Sequence, residues 1–455
     1  MFTISKGKNI TADIVARYIK RHQGIIPRYQ KLADYYDGQH SILIRDKKKT
    51  KANNRIVCNH AKHITDTATG YTVGNPIKYM PHEEGQSIDQ LNEWMRIADS
   101  DTQDMDVAKD ASVFGKGCEL VYMSNEESPT PRLASFDPRN AFVVYDDTVE
   151  HRPCFGVYYY PLFNDDGRKT GYAGKWYTDK AEVEFRMNTG FEIEQAGEPI
   201  NNAFGEVPLI EYYNNEECQG DFEQVISLID AYNILQSDRV NDKQQFVEAV
   251  LVLKGMTFGD NAEEQCSTYN SMKENGLLEL DADGSAEWLI RTFDEASVDI
   301  LRKSIEQDIH RFSGIPCMDD ENFASNSSGV AMRYKLLGFE QVVKIKERYF
   351  REGLKIRLRL FCNIMATKGT RINPNDIDIV FTRNLPSNEV ELAQIVATLQ
   401  GMVPDQTLLS ILPFVKDAKT ATEELKLQKS DEAKRQREMF IANANTPPED
   451  VRTDA

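Results

Sequence analysis

The spacing of apolar and polar positions divides the chain into a helical opening, a strand-rich middle and a long helical second half. Residues 8–38 carry Ile10, Ile14, Val15, Tyr18 and Ile19 at helical spacing, broken at Gly24 and Pro27, with a second helical stretch over Arg28–Tyr36. Further helices are predicted over Asn59–Gly70, Ser87–Ala98 and Asp104–Phe114. From Glu119 to Tyr213 the period changes to two. Segments 119–123, 141–145, 155–160, 174–178, 182–186 and 209–213 are rich in aromatic and β-branched residues and read as strands, with turns such as Asn164–Gly167 between them. This predicts an antiparallel sheet region set in a helical frame.

At Asp221 helix returns, with Phe222, Val225, Ile226, Ile229 and Tyr232 on one face. The continuation Ser237–Gln245 is helix-compatible but nearly all polar, so a helix over 221–248, roughly 40 Å long, is apolar in its first half and wet in its second. A small module follows: strand Val250–Leu253, helix Asn261–Glu274, strand Leu277–Leu280, a turn at Asp281–Gly284 and strand Glu287–Arg291. Phe293–Phe312 is helical, with Val298, Leu301, Ile305, Ile309 and Phe312 in register. Ser313–Ser328 is rich in breakers (Gly314, Pro316, Asn322, Asn326), and Ser327 or Ser328 can cap the next helix. That helix runs from Gly329 to about Thr367, roughly 57 Å, on the stripe Leu336, Phe339, Val343, Phe350, Leu354, Leu358, Phe361, Met365. Strand Asp376–Phe381, helices Asn388–Leu399, Pro404–Leu412 and Ala418–Phe440, and a disordered tail over 442–455 complete the chain. The class is α+β, mainly helical.

Charge narrows the function. Fifty-four Lys and Arg against 72 Asp and Glu give −18, which excludes a protein that grips nucleic acid over its whole surface. It does not exclude one through which nucleic acid slides. The basic run Arg45–Arg55 reads as a solvated loop, with nucleic-acid or partner contact as its alternative. The positive band Arg333–Arg359 reads first as ion pairs between helices and between subunits. The seven cysteines form no CxxC and read as free thiols in a reducing compartment. Ala249–Leu253 is the longest apolar run, far short of the ~20 residues of a membrane span, and Met1–Lys6 lacks the apolar core of a signal peptide. The expectation is a protein made and kept in a cytoplasm, or leaving it by a route other than secretion.

Catalytic motifs are absent from the sequence. No GxxxxGK[ST], GxGxxG or GxSxG occurs, and Phe114–Gly117 is better read as a helix-ending turn than as a phosphate cradle. Asp281–Gly284 copies part of a calcium loop, but Thr292 stands where the bidentate Glu is needed, so a hairpin turn is expected. Cys58, His60 and His63 have no second ligand pair nearby in sequence and read as structural. No catalytic, cofactor-binding or metal-binding residue is assigned.

The order of parts resembles that of a tailed-phage portal protein, in the branch of long-tailed phages of Gram-positive bacteria. The residues that carry the resemblance are Leu228–Asp242 leading into Ala249–Gly255, Ile309–Pro316 through Asn326–Met332, and Ile411–Asp417 before a charged helix. Tyr35–Gly38, Asn53–Arg55 and Tyr71–Pro76 fit as well. The resemblance implies a wing over 1–220, stem helices over 221–248 and 293–312, and a clip over 249–292. It further implies a tunnel loop over 313–328, a long wing helix and returning strand over 329–383, and a crown over 384–441. It implies a ring, the twelve-fold one of virions, at one capsid vertex, assembled in the host cytoplasm. Double-stranded DNA would pass through it during packaging and ejection. The partners implied are the terminase large subunit, a head-completion or adaptor protein, and major capsid and scaffolding proteins. Ile315, Met318, Phe323 and Asn326 are the expected DNA-facing residues of the loop, and Asp238, Arg239, Asp242, Lys243 and Gln245 those of the stem channel. The competing readings are a minor head or connector protein without a channel, and a DNA-processing enzyme, which the missing motifs disfavour.

Overall fold

The computed structural model describes residues 1–46, 52–82, 87–246, 250–254, 261–275, 285–289, 295–317, 329–383 and 389–410, and parts of 415–435. It divides into two units, residues 1–318 with 336–383, and residues 319–335 with 384–455.

The first unit begins with strand β1 (Phe2–Ile4) and helices α1 (Ala12–Gln23) and α2 (Ile26–Tyr36). Helix α3 (His60–Val73), strand β2 (Lys78–Pro81) and helices α4 (Asp89–Ile97) and α5 (Ser100–Phe114) follow. The strands then run β3 (Lys116–Met123), β4 (Pro131–Phe136), β5 (Ala141–Asp146), β6 (Pro153–Phe163), β7 (Lys169–Tyr177), β8 (Ala181–Asn188), β9 (Ile193–Ala196), β10 (Ile200–Asn201) and β11 (Leu209–Tyr213). Instead of one antiparallel sheet there are two. A seven-stranded sheet has the order β1-β5-β6-β7-β8-β10 with β9 also on β8, and a three-stranded sheet has the order β11-β3-β4. The pairing of β1 with β5 is parallel, Phe2 opposite Val144.

Helix α1 covers one face of the larger sheet, where Ile14, Val15, Tyr18 and Ile19 meet Phe142, Phe155 and Val157. The other face is closed in part by the smaller sheet, through Cys118, Leu120, Val143, Tyr145 and Leu209. The turn from α5 into β3 needs Gly115: its φ is +86°, and a Cβ there would lie 2.0 Å from the carbonyl oxygen of Cys218.

Helix α6 (Ile226–Phe246) is preceded by a 3₁₀ turn at Glu223–Val225, so the expected single helix from 221 is two pieces. Strand β12 (Val250–Lys254), helix α7 (Ala262–Asn275) and strand β13 (Ser285–Leu289) match the expected module, with β12 and β13 antiparallel. The expected strand Leu277–Leu280 and turn Asp281–Gly284 lie outside the described residues. Helix α8 (Glu295–Ser313) packs back along α6. Helix α9 (Gly329–Thr367) has the bounds its pattern predicts, and all eight residues of its stripe are buried. Five of them, Phe350, Leu354, Leu358, Phe361 and Met365, form the third core with Leu91 and Trp94 of α4, Val107 of α5, and the pair of β2 with β14 (Ile377–Val380). Gly353 lets α9 lie against Tyr212, whose ring would be 2.4 Å from a Cβ at that position.

The second unit contains α10 (Glu389–Leu399) and α11 (Asp405–Ser410), which pack together, and a helical stretch over 421–428. The rest of the expected helix to Phe440 is described only in fragments, and the tail lies outside the described residues. No helix among the described residues is long and apolar enough to cross a membrane.

Candidate functional site

The polar half of α6 is occupied from within the same chain. Asn233, Ser237 and Asn241 recur every fourth residue and are buried. Their side-chain oxygens accept the backbone N–H groups of Cys58 (2.8 Å), Ile56 (3.0 Å) and Asn54 (2.7 Å), in that order. The segment 52–59 has no regular secondary structure of its own, so these three acceptors replace the ladder its backbone lacks. Neighbouring contacts extend the seam. Tyr35 and Ser41 donate to Asp230 at 2.9 and 2.7 Å, Asn233 Nδ2 donates to His40 at 2.8 Å, and Arg45 pairs with Asp238 at 2.9 Å.

Helix α6 is fixed at its entry as well. Asp221 accepts from Ser112 and from Asn214 (2.8 Å) and pairs with Lys346 of α9. Glu223 takes both Nε and Nη2 of Arg28, at 2.7 and 2.6 Å. Between α6 and α8, Lys243 pairs with Glu295 at 2.7 Å, and Arg302 donates to the Tyr232 hydroxyl at 3.4 Å. The two helices therefore run antiparallel, with Glu295 beside Lys243 and the end of α8 beside Glu223–Val225.

Three histidines meet where α3 and α8 join. The His310 ring lies 6.0 Å from that of His60 and 5.9 Å from that of His63, and its Nδ1 is 3.1 Å from the carbonyl oxygen of Ile315. Burial, and then the positive charge of His310, His63 and His40, push the His60 pKa down to about 4. Among the described residues no group of His, Cys, Asp and Glu is arranged to hold a metal ion.

Two cations of the α9 band, Lys346 and Arg357, are spent in the core. Arg357, fully buried, grips Glu119 of β3 through Nε (2.9 Å) and Nη2 (2.7 Å), and Tyr212 donates to the same carboxylate at 2.7 Å. Asp104 lies 2.7 Å from Nη2, close enough for an ion pair but not aligned for a hydrogen bond; burial raises its pKa to about 6. Arg359 pairs with Glu206 at 3.2 Å, and Arg351 donates to the carbonyl oxygen of Ile379 at 2.6 Å. Lys116, the lysine of the Phe114–Gly117 turn, is buried against Glu211 at 2.5 Å and so is not presented to a phosphate.

The expected site residues fall into three groups. Asp238 is held by Arg45, and Lys243 by Glu295; Arg239 and Asp242 are half-buried. Ile315 is 1% exposed, and its carbonyl oxygen lies 3.1 Å from Nδ1 of His310 near the end of α8. Met318, Phe323 and Asn326, and the side chain of Gln245, lie outside the described residues. Sequence spacing missed Arg45, Asn54, Asp221 and Lys346, because each finds its partner far along the chain. Arg357 did leave a signal, a charge on the apolar stripe between Leu354 and Phe361.

A mixed fold built around a helix pair, a small strand–helix–strand module and one long buried helix is thus in place, and the model of the phage portal protein family, SPP1 Gp6-like, matches residues 15–435. The chain belongs to that family. It is 25% identical over 412 residues to the portal protein of Bacillus phage SPP1, covering 85% of this chain and 78% of that one. To the portal protein of Clostridium phage phiCD119 it is 24% identical over 405 residues, covering 83% and 86%. A chain from the neck of an empty GTA particle is similar at a TM-score of 0.46 with 12% identity, over 78% of this chain and 90% of that chain. As a phage portal protein it has a mixed fold whose polar α6 is stitched to its own amino-terminal segment, and its family is structural in role.

Proposed function

We propose that this portal protein closes into a ring at one vertex of the capsid and forms the channel for double-stranded DNA during packaging and ejection. The family match over residues 15–435 carries the reading. The antiparallel α6–α8 pair, with the antiparallel β12–β13 pair between its helices in sequence, supports it. In this reading α6 and α8 are the stem, residues 249–292 the clip, residues 1–220 the wing, and 384–441 the crown. The terminase large subunit and the head-completion protein would dock at the clip in turn, while capsid and scaffolding proteins meet the wing. The segment 313–328 would line the tunnel, with Met318, Phe323 and Asn326 as its DNA-facing residues.

The test is direct. Class-averaged electron micrographs should show closed rings, and light scattering should give about 620 kDa for twelve copies of 51.9 kDa. A stable 51.9-kDa species at micromolar concentration in several salts would overturn the reading.

A further inference from the structure

The side of the large sheet away from α1 is only partly covered. On β6, β7 and β8, alternation sends Val157, Tyr159, Trp176 and Phe185 to the α1 core. Tyr158, Tyr160, Ala173, Lys175, Glu184 and Arg186 therefore lie on the other side. The smaller sheet meets that side near Val143, Tyr145 and Tyr177. Beyond them Tyr160, Glu184, Arg186 and Gln195 are exposed, and an open trough of about 510 Å³ remains.

The register fixes the cross-section of the trough. Tyr160 stands opposite Ala173, Ala173 opposite Arg186, and Arg186 opposite Gln195. A small floor residue thus lies between an aromatic wall and a cationic one, two strand spacings or about 10 Å apart. The aromatic wall is continuous, the Tyr158 ring being 5.8 Å from that of Tyr160 and 4.4 Å from that of Phe136. One end is bounded by Lys175, which pairs with Glu184 at 2.9 Å and with Glu182 at 3.7 Å. From Lys175 to the level of Leu162 the floor runs for about four residues, roughly 13 Å.

The unpaired groups identify the occupant. Lys175 neutralises the rim carboxylates, whereas Arg186 takes no ion pair or side-chain hydrogen bond among the described residues. The same holds for the hydroxyls of Tyr158 and Tyr160 and for the amide of Gln195. All of these can donate and one is permanently charged, so the occupant brings acceptors and negative charge. An extended chain turns alternate side chains to opposite sides, which suits two unlike walls: apolar groups on the tyrosines, carboxylates toward Arg186. A nucleic acid fits less well. Glu182, Glu184, Glu192 and Glu194 stand in the same stretch of chain and repel a polymer with a phosphate on every unit.

We infer that the β6–β9 face binds an extended segment of another protein in which acidic and apolar residues alternate, its carboxylates on Arg186 and its apolar side chains on Tyr158 and Tyr160. The inference does not rest on the ring reading, since the trough is complete within one chain.

Fluorescence anisotropy on the full chain tests it with three labelled probes, the hexapeptides (Val-Glu)3 and (Val-Lys)3 and a short oligothymidine. The parent should be saturated by (Val-Glu)3 below about 1 mM and bind it at least tenfold more tightly than the other two. Arg186→Glu, at an exposed position, should keep the circular dichroism spectrum and reverse the preference to (Val-Lys)3. Tyr160→Ala should weaken (Val-Glu)3 without reversing the preference. No saturation by (Val-Glu)3, or a preference that Arg186→Glu leaves unreversed, overturns the inference. Oligothymidine bound as tightly as (Val-Glu)3 and lost in Arg186→Glu makes the face a nucleic-acid site and overturns it too. If dissociated chains take the peptide and assembled ones refuse it, the occupant is a neighbouring copy, which again overturns the inference.

Discussion

Arg357 is the residue on which the first unit's long-range order turns. A buried guanidinium and its carboxylates are strongly destabilising when one partner is removed, because the other is left charged and dry. Arg357→Met should therefore lose about 3–5 kcal/mol of unfolding free energy by urea titration. Glu119→Gln added to it should recover part of that loss, since the orphaned carboxylate is the larger part of the penalty. His22 offers a second single-residue test. It is fully buried, its rings nitrogens are 2.8 Å from the Tyr159 hydroxyl and 3.0 Å from the carbonyl oxygen of Pro138, and burial first, then Lys116, lower its pKa to about 3. The unfolded chain binds a proton near pH 6.5 that the folded chain refuses, so stability from this group is complete above pH 6.5 and is lost as pH falls toward 3. About 2 kcal/mol of it should disappear between pH 6.5 and 5. His22→Gln, whatever its effect at neutral pH, should flatten that part of the pH–stability curve by a similar amount.

Among the elements, α6 shows why a polar helix face needs a partner before it is assigned to solvent. Its pattern is legible in sequence as a polar second half, and a water-filled channel is a natural explanation. The structure gives Asn233, Ser237 and Asn241 another occupation, the backbone of residues 54–58. Replacing Asn233 with Leu should leave the Cys58 amide unpaired and lower stability by about 1–3 kcal/mol. Hydrogen exchange should show that amide losing its protection, with residues of the large sheet unaffected. Long, strongly periodic elements such as α9 were legible because eight apolar positions agree on one face. Strands β1, β9 and β10 were not, since two to four residues hold too little period to distinguish strand from loop. β4 begins at Pro131 after Pro129, a stretch whose composition reads as a turn. Of the expected loop residues only Ile315 is among those described, and its burial is a tertiary property that spacing does not encode.

At the scale of the whole molecule, the net charge of −18 per chain sets how a ring would treat DNA. Within α9, Lys346 and Arg357 are neutralised by buried carboxylates, and the chain as a whole stays acidic, so a duplex meets net repulsion. Isolated rings should bind linear duplex more weakly than micromolar at physiological salt, measured by fluorescence anisotropy; sub-micromolar affinity would show a basic surface that these pairings do not account for. One consequence lies in synthesis. Arg357 and Glu119 are 238 residues apart, and Lys346 and Asp221 are 125 apart. At about 5–20 residues per second, a ribosome needs roughly 12–48 s to travel from one member of the first pair to the other. Throughout that interval Glu119 has no guanidinium to receive, and the core around α4 and α5 lacks the helix that closes it. The nascent chain thus emerges with its first unit unfinished until α9 has left the ribosome.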